Sequence, residues 1–402
     1  MSRPGYIEFS SSQLMPQEEV LEVKKSKKSL KIGIPRETAM QEKRVPLTPD
    51  GVLLLTSHDH EVVVESGIGE GASYSDQNYS DAGAKVVYSS RDVFECDLII
   101  KVEPPSLAEI DMMKHKQSLI SALQLKTQEK AYFRKLMDKK ITALSYENMQ
   151  DEEGSIPIVR SMSEIAGNTS VLVAAEYLSN ANDGKGFMLG GISGVPPTEI
   201  VIIGAGAVGT FAARTELGLG ANSKLFNKSL SKLRRLQGLI NNVPIYTCVI
   251  QPKILEKALM RCDVVIGAVR GEGGRTPVVV TEEMVSNMKA GSVIVDVSID
   301  QGGCIETSEL TDHENPTFRK YEVVHYCVPN IASRVSRTAS FALSNILSPM
   351  IIAMGDEGGM EEFLKRNSGV RKGLYVYKGT LVNRPIGEWF DLPYADVNLL
   401  IG

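Results

Sequence analysis

The chain has 402 residues, 43% hydrophobic and 23% charged, with a formal net charge of −5. That is too long for one ordinary core and too balanced for a disordered or fibrous protein, so two globular domains are expected. The mild acidity gives no electrostatic drive toward nucleic acid or anionic membrane, and five scattered cysteines without a CxxC pair argue against a disulfide framework or a zinc site.

The first thirty residues are polar, with KKSKK at 24–28, and residues 1–29 read as a disordered extension rather than a signal peptide. KIGIPRE (31–37) is the first strand, followed by HEVVVESG (60–67), AKVVYSS (84–90) and DLIIKVEPP (97–105). TPDGVLLLTSHD and SDQNYSDAG, between them, carry helix-start residues at helical length. Strands separated by helices imply a parallel sheet covered on both faces.

SMSEIAGNTSVLVAAEYLSNAND (161–183) reads as a long helix capped by Ser161 or Ser163, with Glu164 in its first turn. After a GISGVPP turn, EIVIIGAG opens a second α/β unit, in which SKLFN, PIYTCVI, CDVVIGAV, GSVIVDVS and EVVHYCV are further strands. SRTASFALSNILSPMIIAMGDEGG (336–359) is again helical, kinked or ended near Pro349. The tail from 360 is too short to fold alone and is expected on the first unit. The organisation expected is therefore α/β, with a Rossmann-type dinucleotide domain (158–335) inserted into a discontinuous substrate domain (30–157 plus 336–402). No uninterrupted apolar run approaches the ~20 residues that span a bilayer, and the expected location is cytoplasmic.

The stretch IGAGAVG (203–209) follows an apolar strand and opens a helix, which is the context a pyrophosphate-binding turn requires. Gly204 makes the tight turn, Gly206 lets the backbone approach the phosphates, and Gly209 allows close helix–strand packing. The helix beginning at Ala207 and Val208 adds unpaired N–H groups and a positive dipole end. About 20 residues on, where an acid would accept the ribose hydroxyls, stands Asn227. The expectation is NAD. NADP stays open, because a carboxylate that would repel a 2′-phosphate is missing and Lys228, Lys232, Arg234 and Arg235 follow.

Six stretches in this order resemble the alanine dehydrogenase family, in the superfamily shared with the NAD-binding subunit of proton-translocating transhydrogenase. They are GIPRETAMQEKRVPLTP, DLIIKVEPP, SMSEIAG, VIIGAGAVG, VDVSIDQGGC and HYCVPN. The resemblance implies oxidative deamination of L-alanine to pyruvate in a homo-hexamer or other homo-oligomer, without a metal. It implies Arg44 and Lys101 as the pair that holds the oxoacid, although by residue type alone each is an exposed surface cation. It makes Asp300 the active-site aspartate beside the nicotinamide. Ser163, the glycine turn, Asn227 and Lys232 would surround the adenosine ribose. Val269, Ile299, Val328 and Asn330 would lie at the nicotinamide end.

One departure stands out. The family's presumed acid/base histidine falls at Gln124, in ISALQLKT. Glutamine hydrogen-bonds but exchanges no proton near neutral pH, so Asp300, or a water between it and Gln124, is the expected replacement. None of the five histidines takes the position, and His325 is expected in the core. Three readings stay open: alanine dehydrogenase, a dehydrogenase of another small 2-amino or 2-hydroxy acid with NAD or NADP, and a non-catalytic dinucleotide binder.

Overall fold

A computed structural model describes residues 27–39, 41–240, 245–271 and 275–401. Most of the polar extension expected at the N-terminus lies outside the described residues. The strands run β1 (Lys31–Ile34), β2 (Glu61–Glu65), β3 (Lys85–Val87), β4 (Leu98–Ile100), β5 (Ser118–Ser121) and β6 (Thr142–Ser145) in the first lobe. The second lobe contributes β7 (Glu199–Ile203), β8 (Asn222–Asn227), β9 (Tyr246–Val249), β10 (Val264–Gly267), β11 (Val293–Asp296), β12 (Thr317–Lys320) and β13 (Val323–Tyr326). Two late strands, β14 (Leu374–Tyr377) and β15 (Thr380–Leu381), return to the first lobe.

The first sheet is ordered β15-β14-β6-β5-β4-β1-β2-β3, and the second β12-β13-β11-β10-β7-β8-β9. Both are parallel apart from antiparallel edges: β14 on β6 and β15 on β14 in one, β12 on β13 in the other. Each sheet is buried on both faces. In β4, Leu98 and Ile100 join one core and Ile99 the opposite one, and in β7 Ile200 and Ile202 face away from Val201 and Ile203. This is why the strands read as unbroken Val/Ile runs rather than as alternating patterns.

Two long helices carry the chain between the lobes, Pro157–Leu178 and Ser336–Asp356. The first begins four residues before the expected Ser161, because Pro157 occupies the first helical position, where its fixed φ suits a helix and no donor is missed. Ser163 is therefore not a cap: its Oγ donates to the Val159 carbonyl at 2.7 Å inside the helix. The second helix continues through Pro349 instead of ending there. The stretch Ile331–Asp356 has the length to cross a membrane, and its most apolar 18-residue window has a mean hydropathy of 1.4 with half of it buried in the protein. Interspersed serines hide this from a search for uninterrupted apolar runs.

Those serines have a structural use. Ser340 Oγ accepts from the Val45 amide at 2.9 Å, and Ser344 Oγ accepts from the Thr48 amide at 3.2 Å. Gly51 lies so close that a Cβ there would stand 2.1 Å from Ser344 Oγ. The loop after β1 is thus clamped on the helix that leads out of the second lobe.

Candidate active site

In open parallel sheets, ligands bind beyond the carboxyl ends of the strands. Arg44 follows β1, Glu103 follows β4 and Gln124 follows β5 at the carboxyl edge of the first sheet. Gly204, Val269, Asp300 and Asn330 follow β7, β10, β11 and β13 in the second. The two edges meet through Asn330. Its backbone N–H donates to Asp300 Oδ1 at 2.8 Å, and its Nδ2 donates to Glu42 Oε2, also at 2.8 Å. Asn330 sits in the left-handed region at φ 54°, a conformation that asparagine tolerates better than most residues.

Arg44 is the centre of this junction. It is 7% exposed, so the sequence-based view of a surface cation does not hold. Its Nε and Nη2 fork onto Glu42 at 2.8 and 2.6 Å, and Nη2 also reaches Glu103 Oε1 at 3.2 Å. Nη1 meets the Met162 thioether at 3.5 Å, a weak acceptor that leaves this edge open to a stronger one. Burial opposes the charge of Glu42, yet the fork from Arg44 overrides it and brings its pKa down to about 2. Burial pushes Glu103 up to about 8, with Arg44 opposing and Glu42 reinforcing the rise.

Gln124 donates from Nε2 to Glu103 Oε2. Its left-handed backbone is held by its own amide and that of Leu123, both bound to Glu147 Oε2. Asp300 lies in a single 3-10 helix, Val297–Gln301, open to solvent at its tip. That turn is built by Asp296, whose carboxylate accepts from the Ser298 and Cys304 amides at 3.0 Å each and from Ser308 Oγ at 2.8 Å. The surrounding protein raises the pKa of Asp300, while the Asn330 amide and Arg44 oppose the rise.

Lys101 lies deeper in the first lobe. Its ammonium is 1% exposed and lies between Glu37 at 3.1 Å and Glu109 at 2.9 Å. Glu109 also caps the helix Leu107–Met112, and Glu37 accepts from the Val102 amide at 2.6 Å. This ammonium is paired inside the first lobe with two buried carboxylates. The residue that sequence reasoning missed is Glu103, two positions further on. The available signal was an acid just beyond the carboxyl end of an apolar strand.

The glycine turn has the shape a dinucleotide needs. A Cβ on Gly204 (φ 119°) would stand 2.2 Å from the Ala268 carbonyl oxygen, and one on Gly209 would stand 1.9 Å from the Gly204 oxygen. Gly206 faces open space at the start of the helix Ala207–Gly218, which has no side-chain cap. The first amides of that helix, Ala207 and Val208 among them, are the ones no intrahelical carbonyl can satisfy. A pyrophosphate fits there. Asn227 is already engaged: its Oδ1 accepts from the Ala205 amide at 3.3 Å and its Nδ2 donates to the Ser229 carbonyl at 3.2 Å. Lys232 is exposed on the helix that Ser229 caps. The Val269 amide is tied to Ser298 Oγ at 2.9 Å, and Ile299 and Val328 are buried. Ser163 is half-buried on the helix that also presents Met162 to Arg44.

His325 is fully buried, bonded to Thr307 Oγ1 at 2.8 Å and stacked on Phe318. Burial holds its pKa below the usual histidine value, so it packs as a neutral core residue. Cys304 and Cys327 are buried and their thiols are pushed up by the same cause.

Comparison with known proteins agrees with this architecture. The model of the alanine dehydrogenase/PNT N-terminal domain matches residues 33–166 and that of the C-terminal domain residues 170–384. Alanine dehydrogenase 2 of Staphylococcus aureus (strain USA300) is 39% identical over 369 residues, covering 92% of this chain and 98% of its own. A solved L-alanine dehydrogenase superposes with a TM-score of 0.84 at 38% identity, over 90% of this chain and 99% of its own. The transhydrogenase from Sinorhizobium meliloti superposes at 0.75 with 25% identity, over 88% and 99%. The chain belongs to the alanine dehydrogenase/PNT family and is an alanine dehydrogenase-like oxidoreductase.

Proposed function

We propose that the protein catalyses NAD-dependent oxidative deamination of L-alanine to pyruvate and ammonia in the cleft between residues 30–157 plus 336–402 and residues 158–335. The observation that carries this reading is the bridge Asp300–Asn330–Glu42–Arg44, which joins the carboxyl edges of both sheets. The bound dinucleotide supplies a hydride acceptor. Gly204, Gly206, Ala207, Val208 and Gly209 would hold its pyrophosphate, and Ser163, Asn227 and Lys232 its adenosine ribose. Val269, Ile299, Asp300, Val328 and Asn330 would line the nicotinamide end.

Arg44 takes the substrate carboxylate on its Nη1 edge, the side now facing Met162. Nη2 gives up its bond to Glu103 for the substrate, and the Nη1–Nη2 pair then holds the carboxylate at two points and fixes the Cα–H bond in one direction. Asp300 stabilises the cationic imine that forms as hydride leaves Cα. Lys101 takes no part at the reacting atoms. The test is absorbance of the reduced cofactor with L-alanine and NAD. No turnover by a protein that binds the dinucleotide would refute the assignment.

Gln124 and Asn227 favour a second substrate or cofactor as the alternative, so the assay includes other small 2-amino and 2-hydroxy acids and NADP. A homo-oligomer belongs to the same proposal. It is supported by the exposed Phe187, Met188 and Leu219 around a hollow of about 420 Å³, and sedimentation velocity measures the subunit number. Five free cysteines, four of them buried, support a reducing cytoplasmic location.

A further inference from the structure

We propose that Glu103 is the proton carrier of this active site, doing the work that Gln124 cannot. The inference rests on the dehydrogenase reading above. Three observations support it. Glu103 stands at the carboxyl end of β4 and bonds directly to both Arg44 and Gln124, the residues at which substrate and acid/base chemistry were expected. Its side chain keeps 10% exposure, next to the half-buried Gln124 and across from the solvent-open Asp300. It also forms a pair with Glu42 in which one carboxyl is held as the anion and the other retains its proton into the neutral range. Two carboxyls driven apart by their surroundings are the usual sign of an acid/base assignment.

The charged and titratable groups around Glu103 come from several elements. Arg44, Glu42 and Glu37 lie on the loop after β1, and the Glu37 carboxylate accepts from the Glu103 amide at 3.4 Å. Tyr146, beyond β6, donates to the adjacent Val102 carbonyl. Lys101 stands behind Glu37, and Asp300 acts across the cleft through Arg44. Arg44 is the main charge opposing the burial of Glu103, and Glu42 already takes its fork.

The step balances as follows. Hydride leaves Cα of the neutral amino acid for the nicotinamide, giving a cationic imine on the substrate. Water forms a bond from its oxygen to Cα, the C=N electron pair moves to nitrogen, and a water proton passes to the Glu103 carboxylate. Glu103 then protonates the nitrogen. The C–N bond breaks with its electron pair on the departing ammonia, the oxygen lone pair forms the carbonyl, and the hydroxyl proton returns to Glu103 and then to solvent. Two electrons move from substrate to cofactor. With the proton lost when the ammonium substrate is neutralised, two protons are released, of which ammonia takes one.

The test compares wild type with Glu103→Gln and Glu103→Asp, using L-alanine, NAD and whole protein. For the deaminating direction, kcat/KM should rise with pH through an apparent pKa near 8, as the carrier must start ionised. Glu103→Gln should lose that limb and about 10²- to 10⁴-fold in kcat, with affinity for the reduced dinucleotide retained in a fluorescence titration. Glu103→Asp should recover part of the rate. Independently of turnover, the infrared band of protonated carboxyls should titrate over the same range, and Glu103→Gln should remove one component of it while the Glu216 component stays.

Glu216 serves as the control, since burial also pushes its pKa up to about 8, far from the cleft and against Ser223. A limb removed by Glu216→Gln instead would overturn the proposal. So would a Glu103→Gln enzyme that keeps the wild-type rate and limb, and that result would leave the dehydrogenase reading intact. A wild-type protein that binds dinucleotide but turns over no amino acid would overturn both.

Discussion

Arg44 and Lys101 are both buried cations, each held between two glutamates, and both stand at the carboxyl edge of the first sheet. All four glutamates belong to the first lobe, and the clusters differ in what they lead to. Glu37 and Glu109 belong, like Lys101, to the first lobe, and Glu109 is also bound into a helix cap. The Arg44 cluster continues through Glu42 and Asn330 into the second lobe and keeps one guanidinium edge on a soft sulfur. Similar charges therefore serve two ends. A closed ion cluster stabilises one domain, and one that spans a cleft with an unfilled edge can accept a ligand.

The largest effect should come from breaking the closed cluster. Lys101→Met leaves Glu37 and Glu109 buried without their cation and should cost about 3–5 kcal/mol of stability. Chemical denaturation measures it, and the residual folded protein should keep a near-normal KM. A KM raised tenfold or more with little loss of stability would return Lys101 to the substrate site.

Next is Arg44→Lys, which keeps the charge but removes the fork. Loss of two-point recognition should reduce kcat/KM by about 10²-fold, equivalent to about 2.7 kcal/mol, with the unfolding midpoint changed much less than in Lys101→Met. Equal damage to stability in both variants would erase the distinction between the clusters.

The smallest effect is at Asn227, where the second lobe has no charge at all. Asn227→Asp restores a charge-assisted acceptor for the ribose and should tighten NAD by about 5- to 10-fold, corresponding to about 1 kcal/mol, while weakening NADP. Titration with each reduced dinucleotide measures this. Weaker NAD binding would mean that the bond from Nδ2 to the Ser229 carbonyl is what the position is for.

The central strands were legible because a strand buried on both faces must be a continuous apolar run, as in EIVII and GSVIVDVS. The strands β5 and β6, SLIS and TALS, were not, since their buried serines imitate loop residues. The antiparallel edges β12 and β15 lacked a signal for another reason: edge strands are short and partly exposed. Within the site, the glycine turn, Asp300 and Arg44 could be read from motif order. Lys101 and Glu103 could not be told apart, because both stand at the end of one strand. Only Glu37 on one side, and Arg44 and Gln124 on the other, show which of them faces the cleft.

The order of apolar runs and the glycine spacing by themselves determined two α/β units and a dinucleotide turn, because burial and left-handed backbone constrain residue type locally, and the six motif stretches carried the family resemblance. The assignment of charges to structure or to chemistry was decided by the tertiary fold. A carboxylate's pKa and a cation's availability depend on neighbours that packing brings from 59 or 288 residues away.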